Sequence, residues 1–214
     1  MDSRVPALHR ALLAVTAVIF VWSAIRPHDY FTWFLETAPV LIALPALWIN
    51  YDRLRFTDLV YTLIAVHAAI LMTGGHYTYA RVPLFDWIRD AFSLSRNHYD
   101  RVGHFAQGFV PALIAREVLL RRTPLQRGRM LFFLVVCVCL AISAAYELVE
   151  WLTAVASGEA AQDFLGTQGD PWDTQEDMAT ALVGAICAQW WLGRRQDRQL
   201  AALQTVRSRD AAVP

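Results

Sequence analysis

The sequence predicts an all-α protein, a polytopic bundle of about six transmembrane helices. Three observations carry that prediction. Of 214 residues, 56% are hydrophobic and 18% charged, against roughly a quarter charged in soluble domains. The charges are bunched into short patches, separated by apolar runs close to the ~20 residues that cross a bilayer. Trp22, Trp33, Trp48 and Trp190 stand near the ends of those runs, where interfacial aromatics collect.

The runs are 8–25, 31–49, 57–73, 102–120, 131–154 and 177–193. The first follows Arg4 and Arg10 as a signal peptide would, but Val21-Trp22-Ser23-Ala24-Ile25 offers no small-x-small cleavage site. It is therefore expected to stay as a helix, with His9 at the interface. Pro39 and Pro45 fall inside the second run; membrane helices accept such prolines when neighbours satisfy the freed backbone groups. The third run carries His67 midway, expected as a satisfied interior histidine, and is expected to close at Gly74-Gly75-His76. Within the next connection, 85–92 alternates aromatic and charged residues at helical spacing, as in a helix lying flat in the interface. The connection 156–176 is turn-rich and acidic, with Gly166-Thr167-Gln168-Gly169-Asp170-Pro171 at its centre. Residues 1–193 form one membrane domain, and 194–214 an Arg-rich tail.

Orientation follows from the basic residues, all nineteen of them Arg. With the N-terminus inside, fourteen fall on the cytoplasmic side and five outside, so both termini are expected in the cytoplasm of a bacterial inner membrane. Net charge is zero, which gives no bulk attraction to nucleic acid. Cys137, Cys139 and Cys187 all lie in apolar runs, against a disulfide framework or a zinc site. No P-loop, GxGxxG, HExxH, GxSxG or CxxC pattern occurs.

Ionisable residues inside spans mark functional sites by default, and here they converge. Asp100 and His104 are four apart at the outer start of the fourth span, hence on one helix face. Glu147 and Glu150 share a face of the fifth, roughly 10 and 6 Å below its outer end at 1.5 Å per residue. Asp173 and Asp177 are four apart where the sixth begins; Asp163 and Asp170 lie in the preceding connection, and Glu36 and His76 sit at the same depth. His104, Glu147, Glu150 and Asp177 are the candidate catalytic residues. Candidate headgroup-binding residues are His76, Asp100, Arg101, Asp170 and Asp173. Asp173 and Asp177 also suit a helix N-terminus for purely structural reasons.

The stretches Gly75-His76-Tyr77-Thr78-Tyr79-Ala80, Asp100-Arg101-Val102-Gly103-His104-Phe105, Tyr146-Glu147-Leu148-Val149-Glu150-Trp151 and Gly169 to Met178 resemble the bacterial YjdF-type inner-membrane family. That resemblance implies a multi-pass inner-membrane protein. A more distant likeness is to VanZ-type proteins, associated with glycopeptide resistance. Their Asp-Lys-x-x-His-Phe resembles Asp100 to Phe105, with Arg101 for Lys; their Glu-x-x-Gln resembles Glu147 to Glu150, with Glu for Gln. Their Asp-x-x-x-Asn-x-x-Gly resembles Asp177 to Gly184, with Ala181 for Asn.

The expectation is a polar pocket open to the extracytoplasmic interface that engages the headgroup of a bilayer lipid or a lipid-linked envelope precursor. Arg101 could hold a phosphate, and His104 with Glu147 or Glu150 could act as general base and acid, with hydrolase and binding-only versions both open. With Asp177, the same groups could instead hold a divalent cation such as Mg²⁺, Mn²⁺ or Zn²⁺. A proton- or cation-coupled transporter is the rival, and a structural partner in an envelope complex the third alternative.

Overall fold

A computed structural model describes residues 5–158 and 162–210. Its helices are α1 (Ala7–Ala24), α2 (Tyr30–Ile49), α3 (Asp58–Tyr77), α4 (Pro83–Phe92), α5 (Tyr99–Arg122), α6 (Arg129–Ser157), α7 (Gln162–Leu165) and α8 (Asp173–Asp210). A 3-10 turn, Tyr79–Arg81, follows α3, and no strand occurs among the described residues. Helix starts follow local chemistry. Asp29 caps α2 by accepting from the Thr32 amide at 2.6 Å, and Pro83 opens α4, where its missing N–H costs nothing.

The chain is an all-α membrane bundle, and on its first two helices burial is inverted relative to a soluble protein. Buried on α1 are His9, Thr16 and Ser23, seven residues apart; buried on α2 are Thr32, Glu36, Thr37 and Val40. Val18, Ile42, Trp48, Val155 and Trp190 face outward, each more than 60% exposed. Apolar outside and polar inside is the arrangement a hydrocarbon solvent selects.

Four helices (α1, α2, α3 and α6) are long and apolar enough to cross a membrane among the described residues. α5 and α8 are long enough but too polar to qualify by composition. They form the most extensive helix pair, with α5 also against α3 and α6. The expectation of six crossings therefore rests, for these two, on length and interior packing. One turn inward of His104 and Asp177, Gly108 lies against the Ala181 backbone; Gly184 meets the Phe105 carbonyl in the same way. Neither position has room for a methyl group, so the two backbones touch, as small residues permit in membrane bundles.

Several boundaries differ from the sequence reading. α3 runs through Gly74-Gly75 instead of stopping, because those glycines make room for neighbours: the Tyr79 ring covers Gly74, and Gly75 meets Glu36 and the Trp33 backbone. The sixth run is only the front of α8, which continues without a break past residue 193. Side chains beyond that point bind inward. Arg116 reaches Asp197 at 2.9 and 3.1 Å, Gln196 donates to the Leu113 carbonyl at 2.7 Å, and the Leu59 amide donates to Gln199 at 3.0 Å. Residues 211–214 of the expected tail, Arg4, and 159–161 of the expected outer loop lie outside the described residues. α4 forms as expected, with no buried residue. His9, expected at the interface, is buried between Tyr51 (2.6 Å) and Asp58 (2.9 Å). His67 Nε2, expected to be satisfied, is buried with no hydrogen-bond partner.

Candidate functional site

At one end of the bundle, the start of α5, the start of α8 and the last third of α6 bring seven of the nine candidate residues close together. Two arginines organise it. Arg96, in the turn before α5, donates to Asp173 (2.5 Å), Asp170 (3.3 Å) and the Gly166 carbonyl (3.1 Å), and lies 3.6 Å from Asp100. Arg101 binds Asp177, Asp173 (3.0 Å), Glu176 (2.8 Å) and Asp100 (3.3 Å), with Asp170 at 3.5 Å. Both guanidiniums are thus paired with carboxylates of the chain itself, although Arg96 Nε is buried without a hydrogen-bond partner. The segment 166–170 is held down further by a reciprocal pair: the Asn97 amide donates to Gln168 Oε1 at 3.0 Å, and Gln168 Nε2 donates to the Asn97 carbonyl at 2.9 Å.

His104 lies beneath the arginines, buried. Its Nε2 is 3.4 Å from Asp100 Oδ1 and 3.6 Å from Asp177 Oδ1. On the other edge of the ring, Nδ1 donates to Gln107 Oε1 at 3.3 Å, and Glu147 Oε1 lies 3.8 Å away. That Glu147 oxygen is buried without a hydrogen-bond partner. Glu150 is also buried, one turn further along α6, among the charges of Glu147, Glu36, Asp100 and Asp177. Glu36 of α2 accepts from the Tyr146 hydroxyl at 3.2 Å.

Of the expected site residues, His104, Glu147, Asp177, Asp100, Arg101, Asp170 and Asp173 meet directly, and Glu150 adjoins them. His76 does not. Its Nδ1 donates to the Ser23 carbonyl at 3.0 Å and its ring stacks on Trp22, so it fastens α3 to α1. Sequence reasoning missed Arg96 and Gln107. The signal available for Arg96 was its i,i+4 spacing to Asp100. For Gln107 it was its i,i+3 spacing to His104.

An apolar groove of about 370 Å³ opens beside the cluster. Leu35, Ala38, Pro39, Ile42 and Ala43 of α2 form one wall, Tyr146 and Val149 of α6 the other, and Phe164 closes one end. Tyr146 therefore belongs to both environments. Its ring lines the groove, while its hydroxyl binds Glu36 and its edge meets the His104 ring.

At the opposite end of the bundle, buried Glu117 is fully satisfied by the Thr57 amide and hydroxyl (3.1 and 2.9 Å) and by Arg121 (2.7 Å). Arg116 pairs with Asp197 rather than with Glu117. These contacts bind the loop before α3, α5 and α8 to one another.

Residues 8–198 match the family described as "Predicted membrane protein (DUF2238)". The chain is 50% identical over 193 residues to "Inner membrane protein YjdF" of Escherichia coli (strain K12), covering 90% of this chain and 92% of the relative. No solved structure matches.

Proposed function

Because this chain belongs to the DUF2238 family of membrane proteins, its polar cluster has a bilayer beside it, and we propose that it binds an amphiphilic lipid. The hydrocarbon chain lies in the α2–α6 groove and the headgroup is directed at the cluster around His104. The observation that carries this reading is Tyr146, which joins an apolar groove to a buried hydrogen-bonding network. Ligand sites combine mostly apolar walls with a few convergent polar groups in this way. Phospholipids and lipid-linked envelope precursors share the required chemistry, a long chain and a phosphorylated head. His104, flanked by carboxylates, is the group able to accept or deliver a proton at that head. By this reading the outer end of the bundle is extracytoplasmic and both termini are cytoplasmic.

A phosphate at Arg101 would compete with the five carboxylates that already surround it. The backbone contacts at Gly108–Ala181 and Gly184–Phe105 close α5 on α8 directly inward of the cluster. That closure weighs against a conducting path between these helices, and so against the transporter alternative.

Native mass spectrometry of the purified protein tests the reading. Ala43→Trp fills the groove and should remove co-purified lipid, whereas Val18→Trp, on a lipid-facing position 69% exposed, should leave it. Equal lipid retention in both variants would refute the proposal.

A further inference from the structure

We propose that Asp100, His104 and Asp177 form a divalent-cation site, with Glu147 as the carboxylate that orients the histidine. The site stands on its own geometry and does not require the lipid.

One donor atom from each of the three residues lies within 4.8 Å of the others, and all three residues are buried. Ligands placed ~2.1 Å from a tetrahedrally coordinated ion are ~3.4 Å apart, and octahedral neighbours ~3.0 Å. The observed separations from His104 Nε2, 3.4 Å to Asp100 and 3.6 Å to Asp177, need only a small contraction to meet either geometry. The two helices that supply the ligands are held in register by the Gly108–Ala181 contact one turn away, so the set is preorganised.

Two further observations point to a ligand. First, His104 already has the outer partners of a metal-bound imidazole. Nδ1–H donates to Gln107, and Nε2, which faces the two aspartates, becomes the ligand by releasing its proton as the ion binds. Glu147, 7% exposed, has an oxygen with no hydrogen-bond partner 3.8 Å from Nδ1, on the edge of the ring away from the aspartates. Second, six buried carboxyl groups, Asp100, Asp173, Asp177, Glu147, Glu150 and Glu36, gather around two guanidiniums and one imidazole. A dication favours their ionised forms where they are most crowded.

In the structure the Arg101 guanidinium occupies Asp177 and the outer oxygen of Asp100. An incoming ion therefore takes Asp177 from Arg101, which keeps Asp173 and Glu176. The donor set of two carboxylates and one imidazole suits Mn²⁺, Mg²⁺ or Zn²⁺. A cation at this position would also supply the positive charge that a phosphorylated headgroup needs in a site whose arginines are already paired.

The test uses the full chain in detergent, stripped with EDTA and titrated with Mn²⁺ alone. Expected are about one bound ion per chain and, in pulsed EPR, a nitrogen coupling that changes when histidine is ¹⁵N-labelled. Asp177→Asn should abolish binding, Glu147→Gln should weaken it about ten- to a hundredfold, and Asp90→Asn, exposed and away from the cluster, should leave it unchanged. The parent's spectrum decides the matter even if the Asp177 variant fails to fold. Absence of stoichiometric Mn²⁺, or bound Mn²⁺ without nitrogen coupling, overturns the proposal. Neither outcome bears on lipid retention in the groove, which is measured separately.

Discussion

Replacing Arg96 by Met should destabilise the end of the bundle around His104 by about 3 kcal/mol. Arg96 is 6% exposed and provides three hydrogen bonds, to Asp173, Asp170 and the Gly166 carbonyl. Hydrogen bonds to charged groups contribute roughly 1.5–3 kcal/mol each, and removing one member of a buried ion pair costs about 3–5 kcal/mol. The lower figure applies here because Arg101 still contacts Asp173 and Asp170 at 3.0 and 3.5 Å and so compensates part of the stranded charge. For a chain of this size, 3 kcal/mol corresponds to a fall of about 6–12 °C in the thermal midpoint. The measurement is a thermal unfolding curve in detergent, followed by the fluorescence of the eight Trp. Arg89→Met is the matched control. Arg89 also bonds two carboxylates, Asp86 and Asp90, but at the surface, where solvent screens such pairs; its midpoint should match the parent's. If the two variants shift equally, or Arg96→Met does not shift at all, the arginine is not what holds the 166–173 segment to α5.

Gly108→Ala should separate α5 from α8, lowering the midpoint and weakening Mn²⁺ binding together; Gly193→Ala, whose new methyl would meet only the Arg116 side chain at 3.9 Å, should be neutral or mildly stabilising. A Mn²⁺ affinity unchanged by Gly108→Ala would show that the register of the two helices does not shape the site. Ser157→Cys should react with an impermeant thiol reagent in intact cells; reaction only after permeabilisation would reverse the assigned orientation. Burial works to raise the Asp197 carboxyl, but the hydrogen bonds from Arg116 and Arg127 outweigh it and hold the group below its usual range. A carboxyl lowered by folding stabilises above its unfolded pKa and loses that contribution as pH falls through the folded value. Asp197→Asn should therefore lower the midpoint at neutral pH, with the gap to the parent closing only below about pH 4; a gap that stays constant through acid pH would contradict the pairing.

Helical periodicity gives a residue's depth and face but not the identity of the facing helix, and the legible and illegible parts of this molecule divide along that line. Asp100 with His104, Glu147 with Glu150 and Asp173 with Asp177 each share a face at the same end of their helices, so their convergence could be read from spacing alone. His76 lies at the same depth, yet its ring turns to α1, which no spacing rule distinguishes. α5 and α8 are the least apolar of the long helices, and they pack most extensively on each other. Their charged residues answer one another across the interface, as Arg101–Asp177 and Arg116–Asp197 do, so a hydropathy scale built for lipid-facing helices undervalues them. The length of α8 was legible in principle. Between Asp173 and Asp210 no proline intervenes, and Gln196, Gln199 and Leu200 recur at helical spacing on a side that proves to face α5 and α3. The tail looked separate only because its arginines suggested solvent, whereas Gln196, fully buried, continues the interior face of the same helix. The two ends of α5 then differ in one respect that matters for function: Glu117 has every oxygen partnered, while Glu147 has one that does not. A finished network fixes helices together, and the unfinished one is where a ligand can still bind.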